Sequence, residues 1–390
     1  ATSRNNTMAP NPDQTPVIAG YVRTPFHFAK KGALAKVRPD DLAVVAIKAL
    51  VAKTGVKPED IEDLLLGCAF PEGEQGINIA RAVALLAGLP KSVGGATLNR
   101  WCASSMSTIH MAAGSIAAGS GQVFIAGGVE SMTRVPMGGF NPMPNPAMDK
   151  GDLAAYMSMG LTAENVAKKY QISRADQEAF AVNSHMKAAK AWADGNYADE
   201  VTSVDANGVT VDKDGCVRPD TNAEALAGLK PAFDAEGSVT AGTSSPLTDG
   251  ATATLVTSEG YAKANGLPVL ARIKGMAVTG CEPAIMGIGP VPATQKLLDR
   301  HGLKVDDVDI FELNEAFASQ SLAVQRDLSI PDEKINIDGG AIALGHPLGA
   351  SGARITGKAA LLLKREGKGL AVSTLCVGGG QGVSTLLEAV

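Results

Sequence analysis

The chain repeats itself. Gly55-Val56-Lys57-Pro58-Glu59-Asp60-Ile61 returns 247 residues later as Gly302-Leu303-Lys304-Val305-Asp306-Asp307-Val308, and the register runs on until Ala69-Phe70 falls on Ala316-Phe317. Two further matches follow in order. Gly94-Gly95-Ala96 answers Gly339-Gly340-Ala341 at an offset of 245, and the apolar run 123–126 answers 371–374 at 248. Three ordered matches at nearly constant spacing indicate two copies of one fold unit. At 390 residues the chain is also too long for one usual core.

Each copy reads alike. In the first, residues 41–53 form an acid-started helix that Gly55 stops. An apolar strand follows, 61–66 in one copy and 308–313 in the other. Another helix, a Gly-rich turn into a small-residue helix and a last strand complete the unit. Strands alternating with helices predict an α/β body of two pseudo-symmetric halves with mostly parallel sheets. Residues 131–244 have no counterpart in the second copy. They carry a Pro- and Met-rich segment (136–148) and two helical stretches, 161–170 and 174–194. An insertion this long is expected to shape a substrate site. The division is a tail over 1–15, a first half over 16–270 holding the insertion, and a second half over 271–390. Met8 reads as the natural start, with the seven residues before it left from a leader or added.

Composition narrows the function. A net charge of −5 gives no case for nucleic acid. No run of about eighteen apolar residues argues for a membrane span. The five cysteines are widely spaced and odd in number, with no CxxC pair and no metal spacing. They read as free thiols in a reducing compartment, with no metal site.

The chemistry gathers at three turns. Cys102, in Asn99-Arg100-Trp101-Cys102-Ala103-Ser104-Ser105, stands at the start of a small-residue helix. Unpaired N–H groups and the positive end of the helix dipole there are expected to favour the thiolate. His346 is fixed between Gly345 and Pro347 in a glycine-dense turn, where an imidazole can take a thiol proton and hold the thiolate as a cation. The Gly-Gly-Ala anchors place His346 beside the position equivalent to Cys102, so the repeat predicts that the two face each other across a pseudo-twofold. Cys376 ends the last strand before Val377-Gly378-Gly379-Gly380. That stretch reads either as a weak phosphate-cradling loop or as an acid/base thiol beside N–H groups suited to an oxyanion. Asn314-Glu315 breaks the end of an apolar strand, either capping the next helix or binding a ligand. The segment around Ser244-Ser245 reads as a turn or a ligand-contacting loop. His27, His110, His185 and His301 have no comparable setting and read as structural.

These motifs, with Gly127-Gly128-Val129-Glu130-Ser131-Met132, Asn314-Glu315-Ala316-Phe317 and Gly345-His346-Pro347, resemble the thiolase family from about residue 16 to the end. The resemblance implies a thiolase fold, α-β-α-β-α layered, of two similar halves with an inserted loop domain. It implies Cys102 as the acyl-accepting nucleophile, His346 as its base, and Cys376 as the acid/base acting on the acetyl carbon or the incoming thiol. Asn314 would hold a water that joins His346 in one oxyanion hole, and the N–H groups of Cys102 and Gly378 would form the other. Arg218, Phe233, Ser245, Met159 and Phe317 would contact coenzyme A, a co-substrate rather than a bound cofactor. Ser158-Met159-Gly160 stands where short-chain biosynthetic members carry His-Met-Gly, and this likens the chain to degradative 3-ketoacyl-CoA thiolases of fatty-acid β-oxidation. Trp101 departs from the smaller apolar residue usual before the nucleophile. The alternatives are an acetoacetyl-CoA thiolase run for condensation and a non-catalytic CoA- or lipid-binding member. The expected assembly is a homodimer or a dimer of dimers, free or docked in a β-oxidation complex, in a bacterial cytoplasm or an organelle matrix.

Overall fold

The structure, a computed structural model, describes residues 11–149 and 154–390. Met8 and the seven residues before it lie outside the described residues. Residues 11–15 were expected off the fold, but they pack onto it. Pro12–Gln14 form a 3-10 turn, and Thr15 O accepts a hydrogen bond from the Glu259 N–H.

The first half opens with β1 (Pro16–Arg23) and the short β2 (His27–Phe28). α1 (Pro39–Thr54) follows, started by Pro39 and by Asp40 and Asp41 in its first turn. Then come β3 (Asp63–Gly67), α2 (Ile79–Leu86), β4 (Gly94–Leu98), α3 (Ser104–Ala117) and β5 (Val123–Ser131). The insertion supplies α4 (Met159–Lys169), α5 (Arg174–Ala193), the hairpin β6 (Val204–Ala206) and β7 (Val209–Val211), and α6 (Ala223–Ala227). β8 (Thr248–Ser258) and α7 (Glu259–Ala264) close this half. The second half runs β9 (Ala271–Gly280), α8 (Pro290–Arg300), β10 (Ile310–Leu313), α9 (Ala318–Leu328), α10 (Ala341–Leu344), α11 (Leu348–Glu366), β11 (Leu370–Val377) and β12 (Gln381–Glu388).

The strands join in the order β10-β11-β12-β9-β1-β8-β5-β3-β4, with β2 beside β8. The order mirrors itself about the β9–β1 junction, where only Val17↔Arg272 and Ile18↔Ala271 pair. β9, β12, β11 and β10 therefore answer β1, β8, β5 and β3. The sheet is mixed rather than mostly parallel. Among the named strands only β3–β4, β3–β5 and β10–β11 run parallel. β12 returns beside β11, the strand just before it, and β8 returns beside β5 once the insertion is passed, and an antiparallel return needs no crossover helix.

The registers also correct the repeat. β3 sets Asp63 opposite Phe124, and β10 sets Ile310 opposite Ala371. Since 63 answers 310, Phe124 rather than Val123 stands in the place of Ala371, and a slip of one residue reverses every face. The Gly-Gly-Ala match fails altogether. Gly95 lies in β4 opposite Leu64, whose counterpart Phe311 lies opposite Ile335. Gly339-Gly340 is instead a turn into α10. Gly95 is bare because a Cβ would meet Arg81 Cα at 2.6 Å, whereas Gly339 serves a φ of 86°. The same letters answer two different needs.

Packing shows how the halves share one body. One core sets Leu42, Ile47 and Leu50 of α1 and Val83 of α2 on Leu64, Leu66 and Ile125. Its mirror sets Leu297 of α8 and Val324 of α9 on Phe311, Leu313 and Val372. A middle core joins Ile109 and Ala112 of α3 and Ala359 and Leu363 of α11 to Leu65, Phe124, Ile310 and Ala371. The strands are thus covered on both faces, as their nearly unbroken apolar runs require. Counted through the molecule, the layers are α, β, α, β, α, with α3 and α11 back to back at the centre.

The insertion is tied to this body by buried charge. Glu200 pairs with Arg23 of β1 at 3.0 Å and with Lys358 of α11 at 2.7 Å, and it accepts from the Tyr21 hydroxyl. Asp214 takes both ends of the Arg23 guanidinium at 2.7 and 2.8 Å. Burial disfavours the Glu200 carboxylate, yet Lys358 and Arg23 win and hold its pKa down at about 2. The bidentate geometry is what lets such a cluster repay its desolvation.

Candidate active site

The two central helices begin at matching places. Cys102 lies two residues before Ser104 and His346 two residues before Leu348, the same offset of 244. The helix starts thus make Cys102 and His346 equivalent, where the failed glycine anchors had set them one residue apart. α3 and α11 touch closely enough for the Ala353 N–H to donate to Ser105 Oγ at 2.8 Å. The turns ahead of them open into one cavity of about 670 Å³. Cys102, His346, Cys376 and Gly378 all line it, as do Met159, Phe233, Ser245 and Phe317.

Cys102 sits in a 3-10 turn, Trp101–Ala103, that feeds α3. Part of its surface reaches the cavity, and the Gly378 N–H is directed at its sulfur. The expected thiolate is not what this setting favours at rest. Burial pushes the Cys102 thiol up to about 11, outweighing the N–H groups of Gly378 and of Cys102 itself. Burial likewise pushes Cys376 well above the usual thiol range, with the nearby Cys102 adding to the rise.

His346 is buried and held at three points. Its N–H donates to Thr248 Oγ1 at 3.0 Å, Nδ1 lies 2.5 Å from Ser351 Oγ, and Nε2 lies 3.3 Å from Asn314 Nδ2. Ser351 also donates to Pro347 O, so its oxygen is free to accept the Nδ1 proton and leave Nε2 its lone pair. Burial, with Arg354 nearby, pulls the imidazole down to about 3. The resting pair is thus neutral thiol and neutral imidazole, not the ion pair expected from sequence. Burial penalises both charges, and neither turn supplies a compensating ion.

The other expected residues divide. Asn314 follows β10 behind His346, outside the cavity lining, and its Oδ1 is buried with no protein partner among the described residues. Ser245 is held by its N–H donating to Ala316 O at 2.9 Å and forms part of the cavity wall. Phe233 meets Phe317 edge-on at 6.0 Å, and Met159 packs with Phe317 and Cys376. Arg218 is not brought to the cavity. It is exposed, with its guanidinium 5.4 Å from the Phe28 ring and its N–H on His185 Nδ1.

Sequence reasoning missed two supports. Ser351 clamps the His346 ring from one turn inside α11, and its only signal was a serine five residues after the histidine. Glu130 had been noted inside a motif without a role. Its buried carboxylate accepts from the N–H groups of Ala69 and Gly349 at 2.8 and 2.9 Å, and so fixes the first turn of α11 against β3. Among the described residues, no group of three or more His, Cys, Asp or Glu is placed to hold a metal, and no helix is long and apolar enough to cross a membrane.

Two thiols, an imidazole and an N–H directed at a sulfur thus meet on one cavity. Comparison with known proteins gives the family. The thiolase N-terminal domain matches residues 16–260 and the thiolase C-terminal domain residues 267–389. The chain belongs to the thiolase family and is an acyltransferase. It is 46% identical over 385 residues to a 3-ketoacyl-CoA thiolase of Bacillus subtilis, covering 95% of this chain and 98% of the relative. It is 50% identical over 384 residues to one of Shewanella denitrificans, covering 96% and 99%. The structure of human mitochondrial 3-ketoacyl-CoA thiolase in complex with CoA superposes with a TM-score of 0.90 at 37% identity, over 97% of this chain and 98% of that one. A Bacillus anthracis acetyl-CoA acetyltransferase gives 0.89 at 40%, over 96% and 99%.

Proposed function

We propose that the chain cleaves 3-ketoacyl-CoA with free CoA, giving acetyl-CoA and an acyl-CoA two carbons shorter. The observation that carries this is the meeting of Cys102, His346, Cys376 and Gly378 on one apolar cavity. Cys102 Sγ attacks the 3-keto carbon as its proton passes to His346 Nε2. With both groups neutral at rest, this transfer accompanies attack rather than preceding it, and the N–H groups of Cys102 and Gly378 hold the new oxyanion. The bond between C2 and C3 then breaks. The acyl group stays on Cys102, and the electron pair becomes the enolate of acetyl-CoA. Protonated His346, with a water held by Asn314, stabilises the enolate oxygen. Cys376 gives its proton to the enolate carbon, and acetyl-CoA leaves. The Cys376 thiolate next takes the proton of incoming CoA, whose sulfur attacks the acyl-cysteine. Collapse releases acyl-CoA, and Cys102 recovers its proton from His346.

On this reading Phe233, Ser245, Met159 and Phe317 bind the part of CoA inside the cavity, and Arg218 serves its phosphates from outside. CoA is a substrate that comes and goes. The lining includes Met132, Met137, Met143, Met157 and Met286, and so much adaptable apolar surface suits an acyl chain beyond four carbons. Turnover on acetoacetyl-CoA and on 3-ketodecanoyl-CoA tests this. The longer substrate is expected to be cleaved readily, and activity confined to the four-carbon one would overturn the choice in favour of a condensing acetoacetyl-CoA thiolase.

A homodimer is supported by β4, an edge strand with one side unpaired, beside a fully exposed Ile77 and the half-exposed Leu85 and Leu86 of α2. Five free cysteines and the bacterial relatives support a bacterial cytoplasm.

A further inference from the structure

We propose that Trp101 is a positioning residue that makes the enzyme select against acyl groups branched at the carbon next to the Cys102 thioester. The proposal deepens the thiolysis reading and rests on it.

Trp101 has a φ of 42°, a left-handed conformation that a bulky aromatic rarely adopts. The backbone around it is fixed on both sides. Its N–H donates to Asn99 Oδ1 at 2.8 Å, and its carbonyl accepts from Ser104 Oγ at 2.6 Å and from the Ser104 N–H. The surroundings therefore impose the conformation, and strained backbone held this way is typical of functional turns.

The conformation puts the indole against the Gly378-Gly379 turn. A Cβ on Gly379 would lie 2.6 Å from Trp101 Cζ3, and one on Gly378 would lie 3.4 Å from Cε3. The ring thus fills the space that a side chain on Gly379 would need. Gly378 is also the residue whose N–H is directed at the Cys102 sulfur. The ring therefore backs the turn that carries this donor, and reaches the reacting atoms through it.

The indole is wedged between two apolar clusters. One comprises Ala103, Met106, Leu375 and Val377, the other Ala69, Met132 and Leu348. What remains of its surface lines the cavity next to Cys102. A flat ring clamped on both sides cannot yield as a methionine can. The acyl carbon nearest the thioester meets this wall, while the tail beyond it meets the adaptable methionines. A straight chain lies along such a wall, and a methyl branch at the first carbon collides with it.

The test is acylation of Cys102 by butyryl-CoA and isobutyryl-CoA, followed by mass spectrometry. Wild type is expected to acylate at least about tenfold faster from butyryl-CoA, the discrimination one misplaced carbon commonly gives. Trp101→Leu should reduce that ratio to near one while slowing butyrylation only several-fold, and Trp101→Phe should reduce it less. A ratio unchanged in both variants would overturn the proposal. A second readout needs no change at Trp101. The chain has two tryptophans, and Trp192→Phe leaves Trp101 the sole indole. Butyrylation should then shift its emission, and an unaltered spectrum on a fully butyrylated enzyme would contradict the contact. Absence of any butyryl adduct in wild type would instead overturn the thiolysis reading.

Discussion

The turns before α3 and α11 hold the same place in the two halves, yet they are built for opposite tasks. Cys102 ends one, partly open to the cavity and met by backbone N–H groups alone, those of Gly378 and of Cys102 itself. His346 ends the other, buried, with both ring nitrogens and its backbone N–H engaged. One turn presents an atom that must form and break bonds. The other fixes a ring that, in the proposed mechanism, moves a proton and steadies the enolate oxygen. The repeat brings two helix starts together at the centre of the molecule, and local residues then give one a partly open thiol and the other a clamped imidazole, the pair proposed as nucleophile and base. β11 shows the same divergence, since the place of Cys376 is held in the first half by Val129, a core residue.

The comparison breaks most sharply at His346. Replacing it with alanine removes the proton acceptor, and kcat should fall by roughly 10²–10⁴-fold with the fold intact by circular dichroism. A loss under tenfold would make the second turn scaffolding only. Ser351→Ala probes the clamp rather than the base. It leaves Nε2 in place but frees Nδ1, and kcat should fall by about tenfold with little change in KM. An unchanged rate would show that Gly345 and Pro347 alone orient the ring. The smallest effect concerns the resting charge. Burial raises the Cys102 thiol to about 11 and lowers His346 to about 3, so between those values both groups are neutral. The thiolate fraction then falls about tenfold for each pH unit below 11. Alkylation of Cys102 by iodoacetamide should therefore climb steadily from pH 6 to 9. A plateau across that range would mean a preformed thiolate–imidazolium pair.

That resting state marks the boundary of what the sequence could reveal. The duplication was legible because helix stops and apolar runs recur in order, and so were the three reactive residues, whose turns are dense with glycine and proline. The strand register was not. Gly94-Gly95 and Gly339-Gly340 look alike in sequence, and only neighbouring backbone distinguishes a bare strand packed on α2 from a left-handed turn. The proton inventory was hidden for a similar reason. The helix start near Cys102 is local and visible, whereas the burial that outweighs it comes in part from residues far along the chain, among them Leu348, Leu375 and Val377. Ser351 carries no motif of its own, and Glu130 sits in one that does not show its role, which exists only once α11 lies against β5 and β3. Arg218 came by resemblance, and its distance from the cavity wall could not be read from the insertion's sequence.

The claim beneath all of this is that Cys102 carries the acyl group. Incubating the protein with acetyl-CoA and mapping adducts by peptide mass spectrometry tests it most directly. One acetyl group is expected on the peptide containing Cys102, lost in Cys102→Ala and discharged by free CoA. No adduct on wild type, or an acetyl group on Cys376 with Cys102 unmodified, would contradict it.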